Sequence, residues 1–234
     1  MTDTRYEMSD KELAQHIDHT LLRPDAIAEQ IKRLCEEAKT YGVYGVCVNG
    51  RWLPLVAELL HGSKVKVSGV VSLPLGADTT KIKVAQAHEA IFAGADEIDM
   101  MADLAAIIEG DSRYLINQLS QVLKMCRSMR PPVLLKVIIE SAALNREQKI
   151  FACQIVQQVG VDFIKTSTGF HPAGGATIED VQLIKETAPN CRIKAAGGIR
   201  TVKQAIEFLR AGAERIGTSS GIQMIEQLKA GQLQ

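Results

Sequence analysis

The most restrictive feature of this chain is a unit that recurs eight times: a short apolar segment, a small or polar loop, then a stretch of helical periodicity. The apolar segments are 16–22 (HIDHTLL), 42–48 (GVYGVCV), 65–73 (VKVSGVVSL), 96–101 (DEIDMM), 133–140 (VLLKVIIE), 161–167 (VDFIKTS), 192–198 (RIKAAGG) and 215–220 (RIGTSS). Several run apolar without alternation, as strands do when both faces of a parallel sheet are covered. Eight such units within 234 residues fit a single (β/α)8 (TIM) barrel spanning 1–234. A doubly wound open sheet is the alternative, but no G-x-G-x-x-G follows the first segment. Residues 1–15 read as a leader or capping helix, with the first ten or so covering the bottom of the barrel.

Helical spacing supports the other half of each unit. In 25–40, Ile27, Ile31, Leu34 and Ala38 recur on one face. Stretches 79–93 and 145–159 behave alike. Stretch 201–211 opens on Thr201, a helix-capping residue, and stops before Gly212. Stretch 102–129 is long for one helix, and Gly110-Asp111-Ser112 predicts a break. No linker or low-complexity tract divides the chain.

Composition excludes several roles. Lys+Arg and Asp+Glu are both 27, so no bulk charge draws the chain to nucleic acid or an anionic membrane. Five widely spaced cysteines without a C-x-x-C favour free thiols and a cytoplasmic setting. The N-terminus is too polar for a signal peptide, and no apolar run approaches the roughly 20 residues that span a bilayer. No histidine pair has metal-ligand spacing, and Trp52 and the tyrosines form no stacking stripe.

Polar residues inside apolar strands carry the chemical reading, because active sites of such barrels lie at the C-terminal strand ends. Lys165 and Lys194 occupy matching places in adjacent segments. Lys165 either reaches into solvent or lies inside, beside the hydroxyls of Thr166, Ser167 and Thr168. Burial and mutual repulsion both lower a lysine pKa, which makes an amine nucleophilic. Asp99 shares a strand face with Glu97; it is a proton relay to a lysine or a structural ion-pair partner. Lys136 pairs with Asp99 or Glu140, for structure or for catalysis. Cys47 reads as a small buried hydrophobe that ends strand two. Gly197-Gly198 after the seventh segment and Ser219-Ser220 after the eighth suit a phosphate, which backbone N–H groups at glycine loops and helix starts bind.

In order, IDHTLL, GVCVN, SLPLGA, DEIDMM, LLKVIIE, DFIKTSTGF, GGAT, KAAGGIRT and IGTSSG resemble the motifs of the deoxyribose-phosphate aldolase family over nearly the whole chain. The resemblance implies a class I aldolase that cleaves 2-deoxy-D-ribose 5-phosphate reversibly to D-glyceraldehyde 3-phosphate and acetaldehyde, with no metal or cofactor. It implies Lys165 as the Schiff-base nucleophile, Lys194 as the residue that depresses its pKa, and Asp99 as a proton donor and acceptor through a water. Gly197, Gly198, Ser219 and Ser220 would hold the phosphate. Thr168, Leu22 and Asp18 would line the substrate, with Lys136 near Asp99. It further implies a homodimer or homotetramer whose partners are a small sugar phosphate and an aldehyde. The chain departs from the family pattern at Met101-Ala102-Asp103, His171-Pro172, Gly50-Arg51-Trp52 and Leu73, none a proposed catalytic position. The rival readings are another Schiff-base aldolase of this fold and a non-catalytic barrel that binds a phosphorylated metabolite.

Overall fold

The computed structural model describes residues 8–232. A short helix α1 (Asp10–Ala14) precedes strand β1 (Ile17–Leu21). Then follow α2 (Ala28–Tyr41), β2 (Gly45–Val48), α3 (Leu53–Leu59), β3 (Lys66–Val71), α4 (Thr80–Phe92) and β4 (Glu97–Met101). Helices α5 (Leu104–Glu109) and α6 (Ser112–Ser128) lead to β5 (Leu134–Ile138), α7 (Arg146–Val159) and β6 (Phe163–Lys165). The chain ends with α8 (Ile178–Thr187), β7 (Arg192–Ala196), α9 (Val202–Ala211), β8 (Arg215–Thr218) and α10 (Gly221–Lys229). All eight strands are parallel and close into a barrel in sequence order, β8 pairing with β1. The fold is therefore the (β/α)8 barrel that the eightfold pattern predicts.

Local chemistry explains the element ends. Ser9 and Glu12 form a reciprocal cap that starts α1. Asn145 with Gln148 and Thr201 with Gln204 do the same for α7 and α9. The expected break in 102–129 is real. Gly110 ends α5 in the left-handed region at φ 72°, and Asp111 then caps α6 by accepting from the Tyr114 N–H.

Each strand is shorter than its apolar segment. Val43, Val65, Val133 and Val161 are buried but precede their strands, so part of each apolar run fills the space beneath the helices. Helix α2 starts at Ala28 and not at Asp25, which forms an ion pair with Arg23. Helices α3 and α8 are absent from the sequence reading. The first is only seven residues long. The second carries a readable signal, a Thr177 cap followed by buried Val181, Leu183 and Ile184. Of the expected leader, residues 1–7 lie outside the described residues; α1 packs beside α10 at the end of the barrel where the strands begin.

Strand parity sorts the side chains. Ile17, Val46, Ile98 and Val137 face the helices and build the apolar layer. Asp18, Glu97, Asp99, Lys136, Lys165, Lys194 and Arg215 are all buried and face one another inside the barrel.

Candidate active site

Lys165 and Lys194 are direct neighbours in the β6–β7 ladder, and Asp99 and Lys136 are direct neighbours in β4–β5. This register puts three ammonium groups around one carboxylate. Asp99 Oδ2 accepts from Lys165 Nζ and from Lys194 Nζ, each at 2.8 Å. Asp99 Oδ1 accepts from Lys136 Nζ at 2.8 Å. The Cys47 thiol lies 3.9 Å from Oδ2, with burial pushing its pKa up to about 11. Cys47 therefore sits inside the barrel as a protonated, unreactive neighbour.

A second layer lies beneath. Asp18 Oδ2 accepts from Lys194 at 2.5 Å, and Asp18 Oδ1 accepts from Arg215 at 2.8 Å. Lys136 also reaches Glu97 Oε2 at 2.5 Å and donates to Ser68 Oγ at 2.9 Å. Arg215 stacks 3.3 Å from the centre of the Tyr44 ring. Among the described residues, the interior thus holds four cations, Lys136, Lys165, Lys194 and Arg215, against three carboxylates, Asp18, Glu97 and Asp99.

The charges set one another. Burial raises the Asp99 carboxyl, but Lys136, Lys165 and Lys194 outweigh it and hold Asp99 well below the usual carboxylate range. Burial likewise raises Asp18, and Lys194 and Arg215 pull it down further than burial lifts it. Burial lowers Lys194, but Asp18 and Asp99 reverse that and keep it a firm cation. The sequence offers two lysines that repel each other and an Asp99 able to balance one of them. In the structure a carboxylate oxygen stands between them. Lys194 and Lys165 also differ in depth: Lys194 is held from below, whereas Lys165 reaches the cavity above.

That cavity, about 310 Å³, opens at the C-terminal ends of the strands. Leu22, Lys165, Thr168, Gly197, Gly198 and Ser219 line it. Gly197 and Gly198 turn at φ 91° and 80°, a region that disfavours side chains. Gly197 also packs so closely on Gly175 that a Cβ on Gly175 would lie 2.1 Å from the Gly197 carbonyl oxygen. Ser220 is just outside the lining, at the cap of α10, its N–H donating to Thr218 Oγ1. Asp18, Asp99, Lys136 and Lys194 lie below the cavity floor and are absent from its lining. Lys136 pairs with Asp99 and Glu97; Glu140 instead accepts from Thr168. A larger cavity of about 670 Å³ on the flank, between α4 and the 72–78 loop, contains none of these lysines. Chemistry, not size, selects the barrel mouth.

Sequence reasoning overlooked Arg215, Ser68 and the role of Glu97. Arg215 carries the same signal as the lysines, a cation opening an apolar strand. His19, next to Asp18, points the other way and bonds Glu37 on α2 at 3.0 Å.

The chain matches the model of the DeoC/LacD family aldolases over residues 3–226. It belongs to that family. Among DeoC/LacD relatives, the deoxyribose-phosphate aldolase of Dictyoglomus turgidum is 47% identical over 222 residues, covering 94% of this chain and 99% of that protein. The deoxyribose-phosphate aldolase of Thermococcus kodakarensis is 45% identical, covering 94% of this chain and 98% of that protein. The tetrameric deoxyribose phosphate aldolase structure from Aeropyrum pernix superimposes with a TM-score of 0.88 at 29% identity, covering 95% and 93% of the two chains. Inside the barrel of this DeoC/LacD aldolase, a buried lysine pair shares one carboxylate oxygen.

Proposed function

We propose that this enzyme reversibly cleaves 2-deoxy-D-ribose 5-phosphate to D-glyceraldehyde 3-phosphate and acetaldehyde through a Schiff base on Lys165. The observation that carries the reading is that Lys165 alone of the three interior lysines lines the cavity, while its Nζ rests on Asp99 beside Lys194. An amine must be uncharged to attack a carbonyl. With four cations against three carboxylates, loss of one proton leaves the interior balanced.

The Lys165 amine adds to C1 of the open-chain sugar, and loss of water gives an iminium. A base then takes the proton of the C3 hydroxyl. The C2–C3 bond breaks, its electrons pass into the iminium, and D-glyceraldehyde 3-phosphate leaves. It must be C2–C3, because C3–C4 scission would leave three carbons on the lysine instead of two. The remaining enamine takes a proton at C2, and water hydrolyses the iminium to acetaldehyde. Asp99, which accepts from Lys165 Nζ and holds Lys194 on the same oxygen, supplies and receives these protons, with a water spanning the distance to the substrate. The iminium is the electron sink, so the sequence calls on no metal or cofactor. Gly197, Gly198 and Ser219 hold the phosphate with Ser220 behind them, and Leu22 and Thr168 flank the sugar. Asp18 and Lys136 act from below, by fixing Lys194 and Asp99.

Borohydride trapping with acetaldehyde tests the assignment. Peptide mass spectrometry is expected to find the ethyl adduct on Lys165 alone, and Lys165→Ala to lose both adduct and turnover. Adducts spread over surface lysines, or cleavage activity retained by Lys165→Ala, would overturn it.

We propose also that the chain forms a homodimer or homotetramer in the cytoplasm. The Aeropyrum pernix tetramer supports the first part. Five free, buried cysteines and the lack, among the described residues, of any helix long and apolar enough to cross a membrane support the second. Sedimentation velocity is expected to give two or four chains; a monomer at micromolar concentration contradicts it.

A further inference from the structure

The loop after β5 holds a carboxylate that the proposed chemistry does not use. Glu140 is 1% exposed and forms no ion pair among the described residues. Its backbone sits at φ 52°, in the left-handed region that disfavours a residue with a side chain. Its neighbours are tied to the end of β6 on both sides. Ile139 N–H donates to the Lys165 carbonyl at 3.1 Å, and Ser141 N–H to the Thr166 carbonyl at 2.9 Å. Glu140 is turned out between these two bonds. Among the described residues, all the hydrogen bonds to its carboxylate come from one residue: the Thr168 N–H donates to Oε1 at 3.1 Å and Oε2 at 3.3 Å, and the Thr168 hydroxyl to Oε2 at 2.5 Å. A buried carboxylate without a cation is unfavourable, and a strained backbone persists only where its surroundings hold it.

The arrangement has a chemical consequence for Thr168. A hydroxyl has one proton and two lone pairs. The proton goes to Glu140, and one lone pair takes the Phe170 N–H at 3.1 Å. What remains is a single acceptor position, on a side chain that lines the same cavity as Lys165.

We propose that Glu140 is a positioning residue that makes Thr168 an acceptor-only contact for a substrate hydroxyl, and so favours hydroxylated aldehydes over simple ones. This rests on the assignment of Lys165 as the Schiff-base lysine. In Glu140→Gln, the side-chain oxygen can still take the Thr168 N–H. Its amide nitrogen would instead donate to the hydroxyl and turn the Thr168 proton toward the cavity. Glu140→Asp keeps a buried charge but withdraws it by one methylene.

The experiment compares two reactions of each variant: steady-state cleavage of 2-deoxyribose 5-phosphate, and borohydride trapping of acetaldehyde, which has no hydroxyl. Both Glu140 variants are expected to lose about tenfold or more in kcat/KM for the sugar, largely through KM, while trapping slows far less. Thr168→Val is expected to show the same split, and the Glu140→Gln, Thr168→Val double variant to be no worse than either single. Equal losses in both reactions, or additive losses in the double variant, would overturn the proposal and leave Glu140 a structural residue. If Glu140→Gln fails to fold, as judged by circular dichroism, Glu140→Asp decides by the same criteria. Absence of trapping in the unmodified enzyme would defeat the Schiff-base reading itself, a separate result from an unsplit Glu140 variant.

Discussion

Asp99 takes three lysines on two oxygens, so its removal disturbs both chemistry and stability. Asp99→Asn keeps the shape and loses the charge. Three buried ammonium groups would then face one another across a neutral amide. Breaking a buried ion pair from one side removes about 3–5 kcal/mol. Loss of a positioned acid–base group lowers a rate by about 10²–10⁴-fold. We expect Asp99→Asn to lose stability on that scale in urea unfolding and kcat on that scale in steady-state cleavage. Unchanged unfolding would mean that the lysines do not depend on Asp99. At this scale the sequence was partly legible. A lysine inside an apolar strand is conspicuous, and Lys165, Lys194 and Lys136 were all visible. Their partners were not: Lys136 pairs with Asp99 and Glu97 on another strand, although Glu140 lies only one strand end away in its own segment, and nothing local announces that choice.

A different lysine acts between elements. Lys83 on α4 is fully buried, and its Nζ donates to the Met101 carbonyl at the end of β4 and to Gln118 Oε1 on α6, each at 2.8 Å. Among the described residues, no carboxylate bonds it. Burial outweighs the attraction of Asp103 and Asp78 and lowers its pKa to about 8. The ammonium thus pins α4 and α6 to the strand that carries Asp99. Because the folded pKa lies below the unfolded one, the unfolded chain binds more protons above pH 8, and stability from this group rises as pH rises toward the unfolded value. Unfolding free energy of the unmodified protein, relative to Lys83→Met, should therefore increase by up to about 2 kcal/mol between about pH 8 and pH 10. A pH-independent difference in paired denaturant titrations would contradict this. Element existence was largely readable, because apolar periodicity and caps are local. Element ends were not, since Val43, Val65, Val133 and Val161 are apolar for burial beneath helices and not for strand pairing.

Across the whole molecule, barrel closure joins the ends of the chain into one electrostatic unit. Asp18 on β1 meets Lys194 and Arg215 on β7 and β8, which it can do only because β1 pairs with β8. Asp18 and Asp99 are both held below the ordinary carboxylate range. Depressed carboxyl groups give stability that is present above the unfolded aspartate pKa of about 3.9 and is lost as pH falls below it, by about 1.4 kcal/mol per unit and group. Acid unfolding should accordingly be steep below about pH 4, and Asp18→Asn should lower the slope of stability against pH there by about one proton. An unchanged slope in acid titrations followed by circular dichroism would exclude Asp18 from the linkage.

The sequence by itself determined the eight units, the parallel barrel they close into, the strand lysines and the glycine and serine loops at the mouth. These follow from burial and backbone preference, which act between residues a few positions apart. Only the tertiary structure decided that Asp99 separates Lys165 from Lys194, that Arg215 and Glu97 belong to the same interior, and that Glu140 serves Thr168. Those pairings join residues 28 to 197 positions apart, and they depend on strand register and closure, which no local stretch of chain contains.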